Sequence, residues 1–316
     1  MDSTDLKQLA ETTRSRREAG IALSLSSGIL AILFFIPIAH KASVTEPIIT
    51  VATSTAPDAF AQVPIEARAA IVYDLATGET LYAHNAEAQL PLASLTKLLT
   101  VYAAFSELSP TTPIVIGAEA VRVDAPRAFS VGQTFTLSDL ARLTLTASLN
   151  DGAAAIARAT AARENRSENA MLAGAASSLG LSQTYAVNGS GLDVSTSISG
   201  GYGSARDLAR LAGALVLKAP EVAAATTNAS TEAMSSIGTR FIVKNTDPIV
   251  DTVPRLLLSK TGYTDLAGGN LALVFDAGLG HPIAVVVLGS SKNARFTDSS
   301  ALIAATFAHF AGVASL

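Results

Sequence analysis

The sequence predicts an α+β fold, and three features carry that reading. A β-branched apolar run at residues 69–75 returns through a tight turn into a second short run. The middle of the chain, from 94 to 217, is a succession of helix-patterned segments. Beyond 255 come three β-rich runs separated by glycine-containing turns, and a helix closes the chain. Strands grouped at the two ends of the body, with helices gathered between them, make an α+β arrangement rather than an alternating one.

Taken in order, residues 19–39 (AGIALSLSSGILAILFFIPIA) carry no charge. About 20 apolar residues cross a bilayer as a helix. Lys7, Arg14, Arg16 and Arg17 precede the run, so residues 1–18 are expected to stay cytoplasmic and the body to lie outside the cytoplasmic membrane. A cleaved signal with its apolar core at Gly28–Ala39 is the alternative; His40 and Ala42 make a poor cleavage pair, which favours a retained anchor. Residues 40–66, rich in Ala, Thr, Val and Pro, read as an extended linker. The catalytic body is then expected over 67–316.

Within the body, Ala69–Leu75 and Thr80–Ala83 flank the turn Ala76-Thr77-Gly78-Glu79 and predict a hairpin. Ser94–Leu108 lacks Gly and Pro and predicts a buried helix. Ser138–Leu145 and Asp151–Ala162 follow, then Glu168–Leu179, stopped by Gly180. A further helix, Ser204–Leu217, has a serine able to cap it. Arg255–Ser259, Asn270–Phe275 and Pro282–Leu288 predict strands, and Thr297–Phe310 predicts the closing helix. No internal repeat is present.

Composition removes several function classes. The 316 residues hold 22 Lys+Arg, 26 Asp+Glu, four His and no Cys, at a net charge of -4. Without Cys there are no disulfides, no thiolate nucleophile and no Cys-based zinc site. Four scattered His leave little for a metal cluster. No basic stripe and no Trp argue against a nucleic-acid surface.

A serine nucleophile in this chain needs a base other than His. Lys serves when burial or a neighbouring positive charge lowers its pKa. Ser94-Leu95-Thr96-Lys97 supplies such a pair, because positions i and i+3 share a helix face. With 31 Ser and 7 Lys, about 0.7 such pairs arise by chance, so the pair alone is weak. Lys260-Thr261-Gly262 is expected in only about 0.05 chains of this composition. Ser148-Leu149-Asn150 falls between two predicted helices. Ser-x-x-Lys, a Ser-x-Asn-type element and Lys-Thr-Gly, in that order, recur together in penicillin-binding proteins and class A β-lactamases.

With these motifs and their flanks (AAIVYDLATGETLYAHNA, PLASLTKLLT, FSVGQTFTLSDLARLTLTASLNDGAAAIA, LGLSQTYAVNGSGLD, SARDLARLA and LLLSKTGYTDLAGGNL) the body resembles the low-molecular-mass penicillin-binding proteins, the serine D-alanyl-D-alanine carboxypeptidases. The resemblance implies a transpeptidase-like fold, an antiparallel sheet flanked by helices with an inserted all-helical lobe. It implies removal of the terminal D-alanine from peptidoglycan stem peptides, and covalent inhibition by β-lactams. Ser94 would attack, Lys97 would take its proton, Ser148 would protonate the leaving amine, and Asn150 would hold Lys97 and a substrate amide. Lys260 and Thr261 would bind the terminal carboxylate, Gly262 would let substrate lie against the strand, and Arg295 would lie near the carboxylate. The N–H groups of Ser94 and Tyr263 would form the oxyanion hole. No cofactor or metal is implied. The chain stops soon after the final helix, where many relatives continue into a further β-domain.

Asn188–Leu192 matches a family loop, but as residues it reads equally as a two-glycine turn. Class A β-lactamases need a glutamate that activates water; Glu164 and Glu168 read as surface residues, and Asp151 as a helix-start residue. A D,D-endopeptidase acting on cross-links is the close alternative. A β-lactamase and a non-catalytic wall-binding protein are the others.

Overall fold

The computed structural model describes residues 58–312. In chain order they form β1 (Ala69–Asp74), β2 (Thr80–His84), β3 (Leu90–Pro91), a 3₁₀ turn at Ala93–Leu95, α1 (Thr96–Glu107), β4 (Pro113–Val115) and β5 (Thr134–Thr136). Then come α2 (Leu137–Ala147), α3 (Asn150–Arg163), α4 (Glu168–Ser178), β6 (Tyr185–Ala186), β7 (Gly201–Gly203), α5 (Ala205–Lys218) and α6 (Pro220–Ala225). The chain ends with β8 (Ser230–Met234), β9 (Arg240–Lys244), β10 (Leu256–Thr264), β11 (Gly268–Asp276), β12 (Pro282–Ser290) and α7 (Ala294–Phe310).

The main sheet has the order β10-β11-β12-β1-β2, and every pairing in it is antiparallel. Successive strand residues face opposite sides, and both sides are apolar here. Ala69 and Ile71 of β1, with Val274, Val286 and Leu288, join the core shared with α1 and α5. Ala70 and Val72, with Leu271, Leu273, Val285 and Val287, join a second core under α7. A strand buried on both faces reads as a continuous apolar run, which is why 69–72 and 282–288 are legible as strands. Each such Leu, Ile or Val contributes roughly 1.5–3 kcal/mol when fully buried. β10 is an edge strand of this sheet, so one side of its backbone is open to a further extended segment.

The helix starts follow from capping chemistry. The Thr136 side chain accepts from Asp139 N at α2, and Ser204 caps α5 by accepting from Asp207 N. The predicted start at Ser138 is therefore one residue late. The predicted helix over Ser94–Leu108 is split: Ser94 sits in the 3₁₀ turn, and α1 begins at Thr96. The strand expected to end at Ser259 runs on to Thr264, because pairing with β11 continues through Gly268. Lys260-Thr261-Gly262, expected at the end of a strand, thus lies within one. The β4–β5 and β8–β9 hairpins carry no alternating signal strong enough to have been expected.

The linker also ends earlier than its composition suggests. Ala59 is fully buried and Phe60 is 7% exposed, both packed in the core under α7. The Phe60 ring lies 5.7 Å from Tyr82 and 5.8 Å from His309. The N–H groups of Glu66 and Ala67 donate to the Asp298 carboxylate on α7 at 3.1 and 3.0 Å. Long-range contacts fix a segment that has no periodicity of its own. The expected tail 1–18, the apolar run 19–39 and the linker up to 57 lie outside the described residues, as do 313–316. Among the described residues no helix is long and apolar enough to cross a membrane.

Candidate active site

Ser94 is held by its turn and by what packs behind it. Ala93 adopts φ +48°, the Leu92 N–H donates to Gly201 O, and the Leu95 N–H closes the turn on Leu92 O. Two glycines make the close approach possible. A β-carbon at Gly191 would sit 1.9 Å from Ala93 O, and one at Gly262 would sit 2.9 Å from Leu92 O and 3.3 Å from Ser94 N. Gly262 was expected to make room for substrate. Its contacts also let β10 close against the turn that carries Ser94.

Lys97, one turn along α1, is fully buried. Its Nζ lies 2.7 Å from Ser94 Oγ, 2.7 Å from Asn150 Oδ1 and 2.8 Å from Ser190 O. Burial holds its pKa well below the usual lysine value; the positive charge of Lys260 lowers it further and Asp151 opposes. A neutral amine has two N–H donors and one lone pair. The two carbonyl oxygens can only accept, so they take both hydrogens, and the lone pair is left for the Ser94 hydroxyl. That is the geometry of a serine poised to lose its proton to lysine.

Asn150 opens α3, and both hydrogens of its amide are used: Nδ2 donates to Asp124 O at 2.9 Å and to Ala125 O at 3.0 Å. Its oxygen therefore faces Lys97. The amide hydrogens expected to reach substrate are already engaged by this loop. Asp151 fixes the same loop, accepting from Ala128 N and Phe129 N at 2.8 Å each. It is a helix-start residue with a structural load, as its position suggested.

Ser148 follows α2 in the left-handed region, φ +58°. This turns its hydroxyl to accept from Lys260 Nζ at 2.9 Å. Lys260, 1% exposed, also donates to Thr261 O at 2.7 Å. Burial, and then the charge of Arg295, lower its pKa to about 7, with Asp247 opposing. Thr261 Oγ1 is 2.6 Å from Thr246 Oγ1. Arg295 is 7% exposed, not the solvated residue a helix start often gives. It donates to Gly262 O and lies 4.6 Å over the Phe296 ring. The Tyr263 side chain points out, half-exposed, with Lys292 Nζ 5.3 Å from its ring centroid.

The structure thus gathers Ser94, Lys97 and Asn150 into one hydrogen-bonded group, and Ser148, Lys260 and Thr261 into a second. Gly262 joins the two and also bonds Arg295. Three participants were not expected. Ser190 lends a carbonyl to Lys97. Asn188 Oδ1 shapes that loop, accepting from Ser190 N at 3.1 Å and Gly191 N at 2.8 Å. Asp247, 2% exposed, accepts from Ser259 Oγ at 2.6 Å. The Asn-Gly-Ser-Gly run signalled the loop; nothing in sequence signalled Asp247. Glu164 pairs with Arg166 at 3.0 Å and Glu168 with Arg158 at 3.6 Å. Among the described residues no three His, Asp or Glu gather as a metal site.

No curated protein sequence matches the chain significantly. Among solved structures it is similar to penicillin-binding protein D2 of Listeria monocytogenes in its ampicillin-bound form, with 27% identity and a TM-score of 0.66. That match covers 78% of this chain and 99% of that one. The D-alanyl-D-alanine carboxypeptidase of Mycobacterium tuberculosis shares the fold at 24% identity and a TM-score of 0.68, over 78% of this chain and 93% of that one. A mutant of the Streptomyces K15 DD-transpeptidase shares it at 24% identity and 0.69, over 78% and 100%. The family model for peptidase S11, D-alanyl-D-alanine carboxypeptidase, matches residues 52–292. The chain belongs to the D-alanyl-D-alanine carboxypeptidase family, peptidase S11.

Proposed function

We propose that this protein removes the terminal D-alanine from peptidoglycan stem peptides through an acyl-enzyme on Ser94, and that β-lactams acylate the same oxygen. The observation that carries the reading is the fully buried Lys97 amine, its hydrogens directed to Asn150 and Ser190 and its lone pair left for Ser94.

Lys97 takes the Ser94 proton as Oγ bonds to the carbonyl carbon of the penultimate D-alanine. The N–H groups of Ser94 and Tyr263 hold the resulting oxyanion. Ser148, bonded to Lys260, passes a proton to the leaving amine as the C–N bond breaks, and takes up the proton that Lys97 removed from Ser94, which leaves Lys97 neutral. Water then attacks the ester with Lys97 as base, and the proton taken from water passes to Ser94 Oγ as the ester C–O bond breaks. The substrate lies along the open edge of β10. Its carboxylate meets Lys260 and Thr261, with Arg295 adding positive charge behind Gly262. With Lys260 near 7, an arriving carboxylate favours its charged form. Residues 19–39 tether this domain on the outer side of the cytoplasmic membrane, where such peptides are found.

The test is intact-mass spectrometry of the full-length protein with benzylpenicillin, beside Ser94→Ala. A one-to-one adduct lasting minutes, absent in the variant, followed by D-alanine release from D-Ala-D-Ala peptides, is the expected result. A fleeting adduct with consumption of penicillin means a β-lactamase. No adduct on folded protein removes the Ser–Lys assignment.

A further inference from the structure

One end of the main sheet presents apolar side chains to solvent. Between β11 and β12 the chain turns through Ala277-Gly278-Leu279-Gly280-His281. The Asp276 carboxylate organises this turn, accepting from Gly278 N and His281 N at 2.8 Å each and from Gly280 N at 3.3 Å. Leu279, at the tip, is fully exposed and adopts φ +57°, a region that disfavours bulky side chains. Neither its exposure nor its backbone stabilises the domain, yet the turn is hydrogen-bonded so as to present it.

Leu279 does not stand alone. The His281 ring lies 5.1 Å from that of Phe310, at the end of α7. Phe310 lies 5.3 Å from His309, and His309 lies 5.8 Å from Phe60. Phe310 is itself 43% exposed. A row of rings thus runs from the Leu279 turn to Phe60, where the chain enters the domain. Arg255 stands beside the turn, exposed, its Nε donating to Asp276 O at 2.9 Å. Its guanidinium matches a phosphate in geometry and charge.

The chain upstream of Phe60 points to the occupant. Residues 40–57 separate the described domain from the apolar run 19–39, and 18 residues reach at most about 60 Å. With that run in a bilayer, lipid meets this end of the domain at a high effective concentration, so a contact by two apolar side chains suffices. Ser94 is at the other end of the strands. Leu256 of β10 pairs with Phe275, which leads into the turn, whereas Gly262, packed on the Ser94 turn, pairs with Asn270. Those six residues of β10 span roughly 20 Å.

We propose that Leu279 and Phe310 dock this end of the domain on the bilayer that holds residues 19–39. The two side chains enter the boundary between headgroups and acyl chains, and Arg255 meets lipid phosphate. The proposal rests on the membrane tether in the functional reading above. It implies that Ser94 is held at the end of the sheet remote from the lipid, on the side of the wall polymer.

The chain has no Trp, so Leu279→Trp and Phe310→Trp each introduce a single reporter. Val115→Trp, at an exposed position of β4 outside this cluster, is the control. The full-length proteins are reconstituted in vesicles of equal parts phosphatidylethanolamine and phosphatidylglycerol, with and without brominated acyl chains. Circular dichroism checks that each is folded. Both reporters should emit to the blue of the control and lose about half their emission to brominated lipid, as rings about 5–10 Å into the boundary do. The control should be unaffected. A blue shift that brominated lipid does not quench means that protein covers the patch, a second copy or another part of this chain, and overturns lipid docking. Solvent-like emission from either reporter, in protein that floats with the vesicles, overturns docking and leaves the tether standing. Folded protein that does not float with the vesicles removes the tether, and docking with it.

Discussion

The oxygen of Asn150 and the amine of Lys97 stand 2.7 Å apart across 53 positions of sequence, and the amide that carries this oxygen cannot turn over. Its two hydrogens are spent on Asp124 and Ala125 carbonyls. Asn150→Asp would put a carboxylate against Lys97 and raise its pKa, leaving an ammonium where a base is needed. Acylation by benzylpenicillin at pH 7 should fall about 10²- to 10³-fold. It should recover as pH rises through the raised lysine value. A wild-type rate at pH 7 in stopped-flow acylation would contradict a neutral Lys97 as base.

Lys260 sets the alkaline side of the profile. Its folded value, about 7, lies below the ordinary 10.5, so its positive charge is lost as pH rises through 7. For a substrate with a terminal carboxylate, kcat/KM should decline above about pH 7. Amidating that carboxylate should lower the rate and flatten the decline. A profile level to pH 9 with the free acid would show that Lys260 is not the group engaged.

Asp247 sustains that charge from behind, opposing the lowering of the Lys260 value. In Asp247→Asn the amide can still bond Ser259 and the Ile249 N–H, but the negative charge is gone. The alkaline limb should move to lower pH while the Tm changes little. An unmoved limb would assign Asp247 a structural role only.

Gly262→Ala probes the contact between strand and nucleophile turn. The added methyl would lie 2.9 Å from Leu92 O, so backbone must shift. We expect a loss of about 1–3 kcal/mol in denaturant unfolding. Acylation should slow about 10²-fold from displacement of the turn.

Phe60→Ala tests where the domain begins. Removing this buried ring should cost about 3 kcal/mol, visible as a lower Tm. Acylation of the folded fraction should be unaffected, since the ring lies in the core under α7 and away from Ser94.

How much of this was legible in the sequence depends on how far apart the participants are. The Ser94–Lys97 pair is local: i and i+3 spacing brings the two together in any helical turn, so the residues announce it. The strands of the main sheet announce themselves as well, because burial on both faces leaves an unbroken apolar run. The helix-start reading of Asp151 followed from its place after Asn150. The order of the three motifs was enough to name a chemistry.

Other features belong to the tertiary structure alone. Ser190 meets Lys97 across 93 positions and Lys260 meets Ser148 across 112, and no window of sequence contains both partners. Phe60 reads as linker because its core partners lie on β2 and α7. That Gly262 also lets β10 close on the 3₁₀ turn is visible only once the two are packed together. Residue types and local spacing determined which groups can do the chemistry. Packing between distant segments decided which carbonyls orient the base, how deeply it is buried and where the charges stand, because burial and hydrogen-bond satisfaction exist only once those segments meet.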